Sequence, residues 1–254
     1  MKSLRFRSIA LSDTGTVRTS NEDAWLVSAD GRLLAVADGM GGHRAGEVAA
    51  ALCIELLDEL FEDAEGPRPW WRFWGSGLTG QARLVDALKR INRAIFDASR
   101  ARAEYQGMGT TVVVLWLDGG QLHYAHLGDS RLYRLRGDAL DQLTRDHSLL
   151  NRFEEAGLVE AGDRRQFPYK NVIMRALGLQ PVATIDAVST EVRPGERFLL
   201  CSDGLTDLVD ATTIRARLSA DSLEEGARGL IQAALEAGGV DNVTVVVAHL
   251  EETE

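Results

Sequence analysis

Apolar residues in this chain fall mostly into short runs broken by glycine-containing turns, and twice into the three-and-four spacing of a helix. The opening stretch predicts strands at Leu4–Leu11, Ala24–Ser28 and Leu33–Ala37, with Asp30-Gly31 as a hairpin turn. Val48, Leu52, Leu56, Leu57 and Leu60 share one helical face and predict a helix over about 45–61. Leu84, Leu88, Ile91 and Ile95 predict a second helix over about 81–103. Strands follow at Thr110–Leu117, Gln121–Leu127 and Arg131–Arg136, joined by Asp118-Gly119-Gly120 and by Gly137-Asp138. Asp146 is placed to cap a helix that runs to about Ala156. The polar stretch 157–172, with Pro168, reads as an irregular flap, which with the preceding helix covers about 148–172. Strands at about Ala183–Val192 and Arg197–Cys201 precede short helices near 205–219. A longer helix over Ser222–Ala237 is closed by Gly238-Gly239, and a last strand spans Asn242–Leu250.

Strands and helices do not alternate regularly, which argues against a parallel, doubly wound sheet. An α+β arrangement of packed antiparallel sheets flanked by helices fits the order better. No repeat, low-complexity tract or linker interrupts the 254 residues, so a single domain over 1–254 is expected.

Composition narrows the function. Hydrophobic residues make up 45% and charged residues 26%, as in ordinary soluble proteins. No apolar run approaches the roughly 20 residues of a membrane span. The basic opening, Met1-Lys-Ser-Leu-Arg-Phe-Arg-Ser8, lacks the apolar stretch of a signal peptide. A net charge of −10 disfavours nucleic-acid binding, which needs a basic face. Cys53 and Cys201 lie in unrelated apolar runs and read as buried free thiols of a reducing cytoplasm. Expected partners therefore include no nucleic acid and no membrane.

The candidate chemistry lies in four aspartates, each where an apolar run meets a turn: Asp38, Asp129, Asp203 and Asp241. A carboxylate at the end of a core strand is costly unless it is paired, hydrogen-bonded or bound to a metal. Four of them without matching lysines or histidines suggest an all-oxygen cage for hard cations such as Mg²⁺ or Mn²⁺. That set points to a metal-dependent hydrolase.

Asp38 heads a glycine-rich loop, Asp38-Gly-Met-Gly-Gly-His-Arg-Ala-Gly46, between a strand and a helix. A phosphate-cradling nucleotide loop fails here. Gly41 and Gly46 have the right spacing, but Glu47 and Val48 stand where a lysine and a hydroxyl residue belong. The dinucleotide pattern also fails, because Arg44 occupies the place of its third glycine. Upstream, Arg18, Glu22 and Asp23 crowd into six residues. The planar fork of Arg18 suits a pair of phosphate oxygens, and Glu22 and Asp23 suit metal-held waters.

These motifs occur in one order: Gly15-x-Val17-Arg18-x-x-Asn21-Glu22-Asp23, Val36-Ala-Asp-Gly-Met-Gly-Gly-His43, Gly109-Thr-Thr111, Leu127-Gly-Asp-Ser-Arg131, Thr144-Arg-Asp-His-Ser148, Arg175-Ala-Leu-Gly178, Ser202-Asp-Gly-Leu205 and Asp241-Asn-Val-Thr244. In that run the chain resembles the metal-dependent, type 2C serine/threonine protein phosphatases in their bacterial stand-alone form, from about residue 5 to 250.

The resemblance implies a four-layer αββα sandwich, with two antiparallel sheets, helices on both outer faces and metals at one end. It implies that Asp38 bridges two Mn²⁺ or Mg²⁺ ions, that the Gly39 carbonyl joins the second, and that Asp203 and Asp241 complete the first. Asp129, with Asp203, would hold a weaker third ion, Asp207 would reach it through water, and Asn242 would support the cluster from behind. The implied reaction is hydrolysis of phosphoserine and phosphothreonine by a water held between the ions, with Arg18 gripping the phosphoryl oxygens. Met40 stands where many relatives carry a histidine, so the general acid is either His43 or, more simply, a metal-bound water. His147 is expected to have a structural role near the flap, and His123, His126 and His249 are expected to be packed on strands. The resemblance further implies a monomer that opposes a separately encoded serine/threonine kinase, in signalling that extends to secretion machinery. Two alternatives stay open on the residues alone: a catalytically silent scaffold, and a two-metal hydrolase of small phosphate esters.

Two departures bear on specificity. Glu65-Gly-Pro-Arg-Pro-Trp-Trp-Arg-Phe-Trp-Gly75 carries three of the five tryptophans and reads either as a loop folded on the core or as a docking patch. The flap reads Gln166-Phe-Pro-Tyr-Lys-Asn171, without the histidine that relatives often place before the proline.

Overall fold

The computed structural model describes residues 3–41, 45–62, 80–118, 120–159, 169 and 172–253. Alternation along its strands explains the architecture. In β3 (Leu33–Met40), Leu34 and Val36 face one apolar cluster, while Leu33, Ala35 and Ala37 face another. In β5 (Val112–Asp118), Val113, Leu115 and Leu117 join the first cluster and Val112, Val114 and Trp116 the second. A strand covered on both faces needs apolar residues at every position, so these runs show no polar alternation.

Two antiparallel sheets result. One has the order β1 (Ser3–Asp13), β11 (Val243–Thr253), β10 (Arg197–Cys201), β7 (Arg131–Arg136), β8 (Ala139–Gln142). The other has the order β2 (Asp23–Val27), β3, β5, β6 (Gln121–Leu127), β9 (Asp186–Glu191), with β4 (Gly109–Thr110) paired to β3. Between the sheets lie Phe6, Leu34, Val36, Val113, Leu115, Phe198, Leu200 and Val246. Phe6 meets Phe198 edge to face at 5.7 Å.

Helices cover both outer faces. α1 (Ala45–Phe61) and α2 (Gln81–Ala101) pack on the β3–β5 side through Leu57, Leu84, Leu88, Ile91 and Ile95. α5 (Ala211–Leu218) and α6 (Leu223–Glu236) cover the β10–β11 side through Ile214, Leu218, Leu223 and Leu230. Short α3 (Leu149–Glu155) follows β8, and α4 (Asp203–Thr206) follows β10. The expected α+β, αββα sandwich is the observed fold.

Three local expectations change. The face of α1 that is fully buried is Ala49, Ala50, Cys53 and Leu57, whereas Val48, Leu52, Leu56 and Leu60 are half-buried beside it. Small residues let the helix approach the sheet closely, and the larger ones flank that contact. β3 continues beyond Ala37, so Asp38 and Gly39 lie within a paired strand, with Asp23 opposite Asp38 and Thr110 opposite Gly39. Asp146 does not cap α3. Ser148 does, its hydroxyl accepting from the Asn151 N–H at 3.3 Å. The Asp146 carboxylate is taken by the Arg131 guanidinium, whose Nε lies 3.0 Å from each oxygen and whose Nη2 lies 2.7 Å from Oδ2. A buried fork-to-carboxylate pair outweighs a neutral cap. The tryptophan-rich segment 66–75 and most of the flap lie outside the described residues.

Asn92 of α2 is 1% exposed and holds the segment after the flap. Its Oδ1 accepts from the Gly178 N–H at 2.9 Å and its Nδ2 donates to the Gln180 carbonyl at 3.0 Å. Asn92→Ala strands the buried Gly178 N–H and is expected to cost about 1–3 kcal/mol. The check is a lower denaturant midpoint at unchanged slope.

Candidate metal centre

The acidic residues reach one end of the sandwich from separate elements. Asp38 lies near the end of β3, and Asp23 opens β2 opposite it. Asp129 sits in the turn after β6, Asp203 begins α4 directly after β10, and Asp241 lies in the turn that leads into β11. Asp38 feels the charges of Asp23, Asp203, Asp129 and Asp241, so the five form one electrostatic cluster. Close backbone packing makes this possible. A side chain at Gly39 would run into the carbonyls of Gly46 and Glu22, and one at Gly204 into the Asn242 carbonyl.

Hydroxyl groups and amides join the elements. The Thr111 hydroxyl accepts from the Asp38 N–H at 3.1 Å and lies 2.7 Å from the Ser130 hydroxyl, beside Asp129. The Ser202 hydroxyl donates to Asp23 Oδ2 at 2.8 Å and accepts from the Thr244 N–H at 3.0 Å. Asn242 binds the upstream loop three times: its Oδ1 accepts from the Glu22 N–H, and its Nδ2 donates to the carbonyls of Thr14 and Ser20, each at 2.9 Å. Arg18 donates to Asp241 Oδ2 at 2.8 Å. Glu22 lies against the first turn of α1, with its carboxylate where a Gly46 side chain would be. Asp207, at the end of α4, is exposed and adds charge against Asp203 and Asp129. His43 lies outside the described residues.

Burial and mutual repulsion dominate the electrostatics. Burial first, and then the neighbouring aspartates, hold Asp38 and Asp203 well above the ordinary carboxylate range. Burial and Asp146 push Asp129 up to about 7. Burial raises Asp23 to about 6 despite hydrogen bonds from Thr244 and Ser202 that oppose the shift. Burial also raises Glu22, against the pull of Arg18. The Arg18 guanidinium is raised by its hydrogen bond and charge contact with Asp241.

This donor set fits hard divalent ions. Asp129 Oδ1 and Asp23 Oδ1 are buried without a hydrogen-bond partner, which is costly unless a cation or its water completes them. Oxygen donors carrying excess negative charge suit Mn²⁺ or Mg²⁺. The donors do not converge on one point. Among the described residues, the group that brings three donor atoms within 4.8 Å of one another is a different one, His126, His147 and Asp186. A spread set suits more than one ion with water filling the remaining positions.

Thr111, Ser130 and Ser202 were not legible as site residues. The motifs Gly109-Thr-Thr111, Leu127-Gly-Asp-Ser-Arg131 and Ser202-Asp-Gly-Leu205 mark their places, but a hydroxyl beside a strand carries no chemical signature until its partner is known.

Crowding has a pH consequence. In the folded chain Asp23 and Asp129 sit near 6 and 7, above the ordinary 3.8, so the fold binds protons that the unfolded chain has released. Their contribution to stability is complete below about pH 4 and is lost as pH rises through about 7. Burial lowers His126 and His147, which contribute with the opposite sign. Comparing wild type with Asp129→Asn in EDTA cancels that background. The variant is expected to be more stable at about pH 8, on the order of 1–3 kcal/mol, with the gap closing toward about pH 4. A gap that does not change with pH would contradict the crowding.

The protein phosphatase 2C family profile matches residues 16–236. The serine/threonine protein phosphatase PstP of Mycobacterium tuberculosis is 41% identical over 250 residues, which is 97% of this chain and 45% of that protein. The chain thus spans about half of that relative's length. The serine/threonine phosphatase stp of Listeria monocytogenes is 34% identical, with 96% of this chain and 95% of that protein covered. The structure of the PstP catalytic domain in complex with two manganese ions superposes with a TM-score of 0.85 at 39% identity, covering 98% of this chain and all of that one. By profile, sequence and fold alike, the chain belongs to the protein phosphatase 2C family.

Proposed function

We propose that this chain is a metal-dependent phosphoprotein phosphatase that hydrolyses phosphoserine and phosphothreonine. The observation that carries the reading is the convergence of five aspartates on one end of the sandwich, two of them with a buried, unpartnered oxygen. In this reading Asp38, the Gly39 carbonyl, Asp203 and Asp241 would hold the two core ions. Asp129 and Asp203 would hold a weaker third ion, with Asp207 supporting it through water. Mn²⁺ is the ion of the manganese-bound relative, and Mg²⁺ has the same preference for oxygen donors. When bound, the ions would neutralise a phosphate dianion and acidify a water between them.

The chain's own residues supply the rest. Arg18 is half exposed and donates to Asp241. Its planar fork would hold two phosphoryl oxygens of the substrate. Glu22 and Asp23 orient waters, and Asn242 fixes the loop that carries Arg18 and Glu22. Neither cysteine serves as a nucleophile, since burial pushes both thiols up to about 12. The proton for the leaving serine or threonine comes from water or from His43. The partners in this reading are phosphorylated proteins and an opposing, separately encoded serine/threonine kinase, in bacterial signalling that includes secretion machinery. The protein works as one catalytic unit over 1–254, as a monomer in the cytoplasm. Among the described residues no helix is long and apolar enough to cross a membrane.

Turnover of p-nitrophenyl phosphate and of a phosphothreonine peptide is expected with Mn²⁺ and is expected to vanish in EDTA. Asp38→Asn should lower kcat about a thousandfold or more, near 4 kcal/mol, while the protein stays folded. Undiminished turnover would sink the assignment of Asp38. Arg18→Ala should lower kcat/KM by about 10–100-fold while leaving the dependence on Mn²⁺ in place. Metal binding without turnover of either substrate would favour the scaffold reading instead.

A further inference from the structure

A second group of titratable side chains lies beside Asp129. His126, near the end of β6, stacks on His147 with ring centroids 4.7 Å apart and planes 8° from parallel. His126 Nε2 donates to the Arg145 carbonyl at 2.9 Å, which leaves the lone pair on its buried, unpartnered Nδ1. His147 Nδ1 accepts from the Gly128 N–H at 3.1 Å, so its proton sits on Nε2, which donates to Asp186 Oδ2 at 3.1 Å. Arg175 reaches the other oxygen of Asp186 at 3.4 Å.

His126, His147 and Asp186 have the composition of a metal site, but the hydrogen bonds exclude one. Two parallel stacked rings cannot aim in-plane lone pairs at a single ion. Both nitrogens of His147 are already committed, one as acceptor and one as donor.

What the arrangement does is hold the Gly128-Asp129 turn. His147 grips Gly128 twice: its Nδ1 takes the Gly128 N–H, and its own backbone N–H donates to the Gly128 carbonyl at 2.9 Å. The His147 carbonyl accepts from the Met174 N–H at 2.7 Å, and the Leu149 N–H donates to the Val172 carbonyl at 2.8 Å. Ser148 and Ile173 form a bridge. The two ends of the flap segment, around 148 and 173, are thereby tied to each other and, through His147, to the residue before Asp129. Gly128 has little freedom of its own. Its φ is +112°, and a side chain there would meet Thr111.

We propose that His147 is a positioning residue for Asp129: it fixes the turn that aims this carboxylate and couples the weaker ion's place to the base of the flap. The proposal rests on Asp129 being a ligand in the metal-dependent reading above. The hydrogen bond from Gly128 to Nδ1 carries the effect, and the bond from Nε2 to Asp186 is secondary. Residues that support a metal ligand from behind typically change affinity by about 10–100-fold when replaced.

Two polar variants separate the bonds without emptying the site. Asn places its Oδ1 near the Nδ1 position and can accept from Gly128, while Gln reaches the Nε2 position and cannot. Mn²⁺ titration of the full chain by calorimetry, without substrate, is the readout, with the melting temperature in EDTA as a control for folding. His147→Gln is expected to weaken the weaker Mn²⁺ step by about tenfold or more and leave the tighter steps in place, with His147→Asn close to wild type. Asp186→Asn is expected to leave all steps near wild type. Equal Mn²⁺ affinity in His147→Gln, His147→Asn and wild type would overturn the proposal and leave the phosphatase reading untouched. Parallel losses in His147→Gln and His147→Asn, matched by equal drops in melting temperature, would overturn it too, because they indicate a merely structural role. A wild type with no weaker Mn²⁺ step would overturn the role of Asp129, and this inference with it.

Discussion

Repulsion among aspartates confined to one end of the sandwich is the constraint on which the rest of this structure depends. Asp38 and Asp203 are held well above their ordinary range by burial and then by the aspartates around them. A chain could relieve such crowding with lysines or by exposing the acids to water. This one instead holds the cluster with strands buried on both faces, and links its members through neutral hydroxyls, Thr111 to Ser130 and Ser202 to Asp23. Apart from the Arg18–Asp241 contact, these links are neutral and leave an excess of negative charge that suits a divalent cation.

The same end of the molecule is assembled from the two ends of the chain. β1 pairs with β11 along its whole length, with Asp13 opposite Val243. That pairing brings the loop after β1, which carries Arg18 and Glu22, beside the turn that carries Asp241 and Asn242. The three hydrogen bonds of Asn242 and the contact between Arg18 and Asp241 follow from that register. A polar loop that would be unremarkable alone becomes part of the site because the final strand closes the sheet against the first.

Asp129 is supported differently. Its turn follows β6, where the stacked histidines and the base of the flap meet. The core aspartates are set by strand ends within the sandwich, whereas Asp129 is set by a turn whose neighbours are flap residues. This difference in mechanical support sets Asp129 apart from the core aspartates.

Much of this was legible in the residues. Apolar runs and helical spacing marked most of the longer elements, because burial imposes periods that a sequence displays directly, whereas the short, exposed β8 went unmarked. Asp38, Asp129, Asp203 and Asp241 stood out because an acid at the end of a core strand needs a compensating partner. Other features depend on contacts between residues far apart in the chain. The sequence could not show that Arg131 claims Asp146 and leaves the cap to Ser148, that α1 buries its small residues rather than its leucines, or that His147 grips Gly128. By itself, then, the sequence determined most of the elements, the two-sheet class and the acidic donors, since each follows from local period or from the cost of a lone buried charge. Only the tertiary structure decided which hydroxyl, amide or guanidinium answers each acid, because one polar side chain has many possible partners and packing alone selects among them.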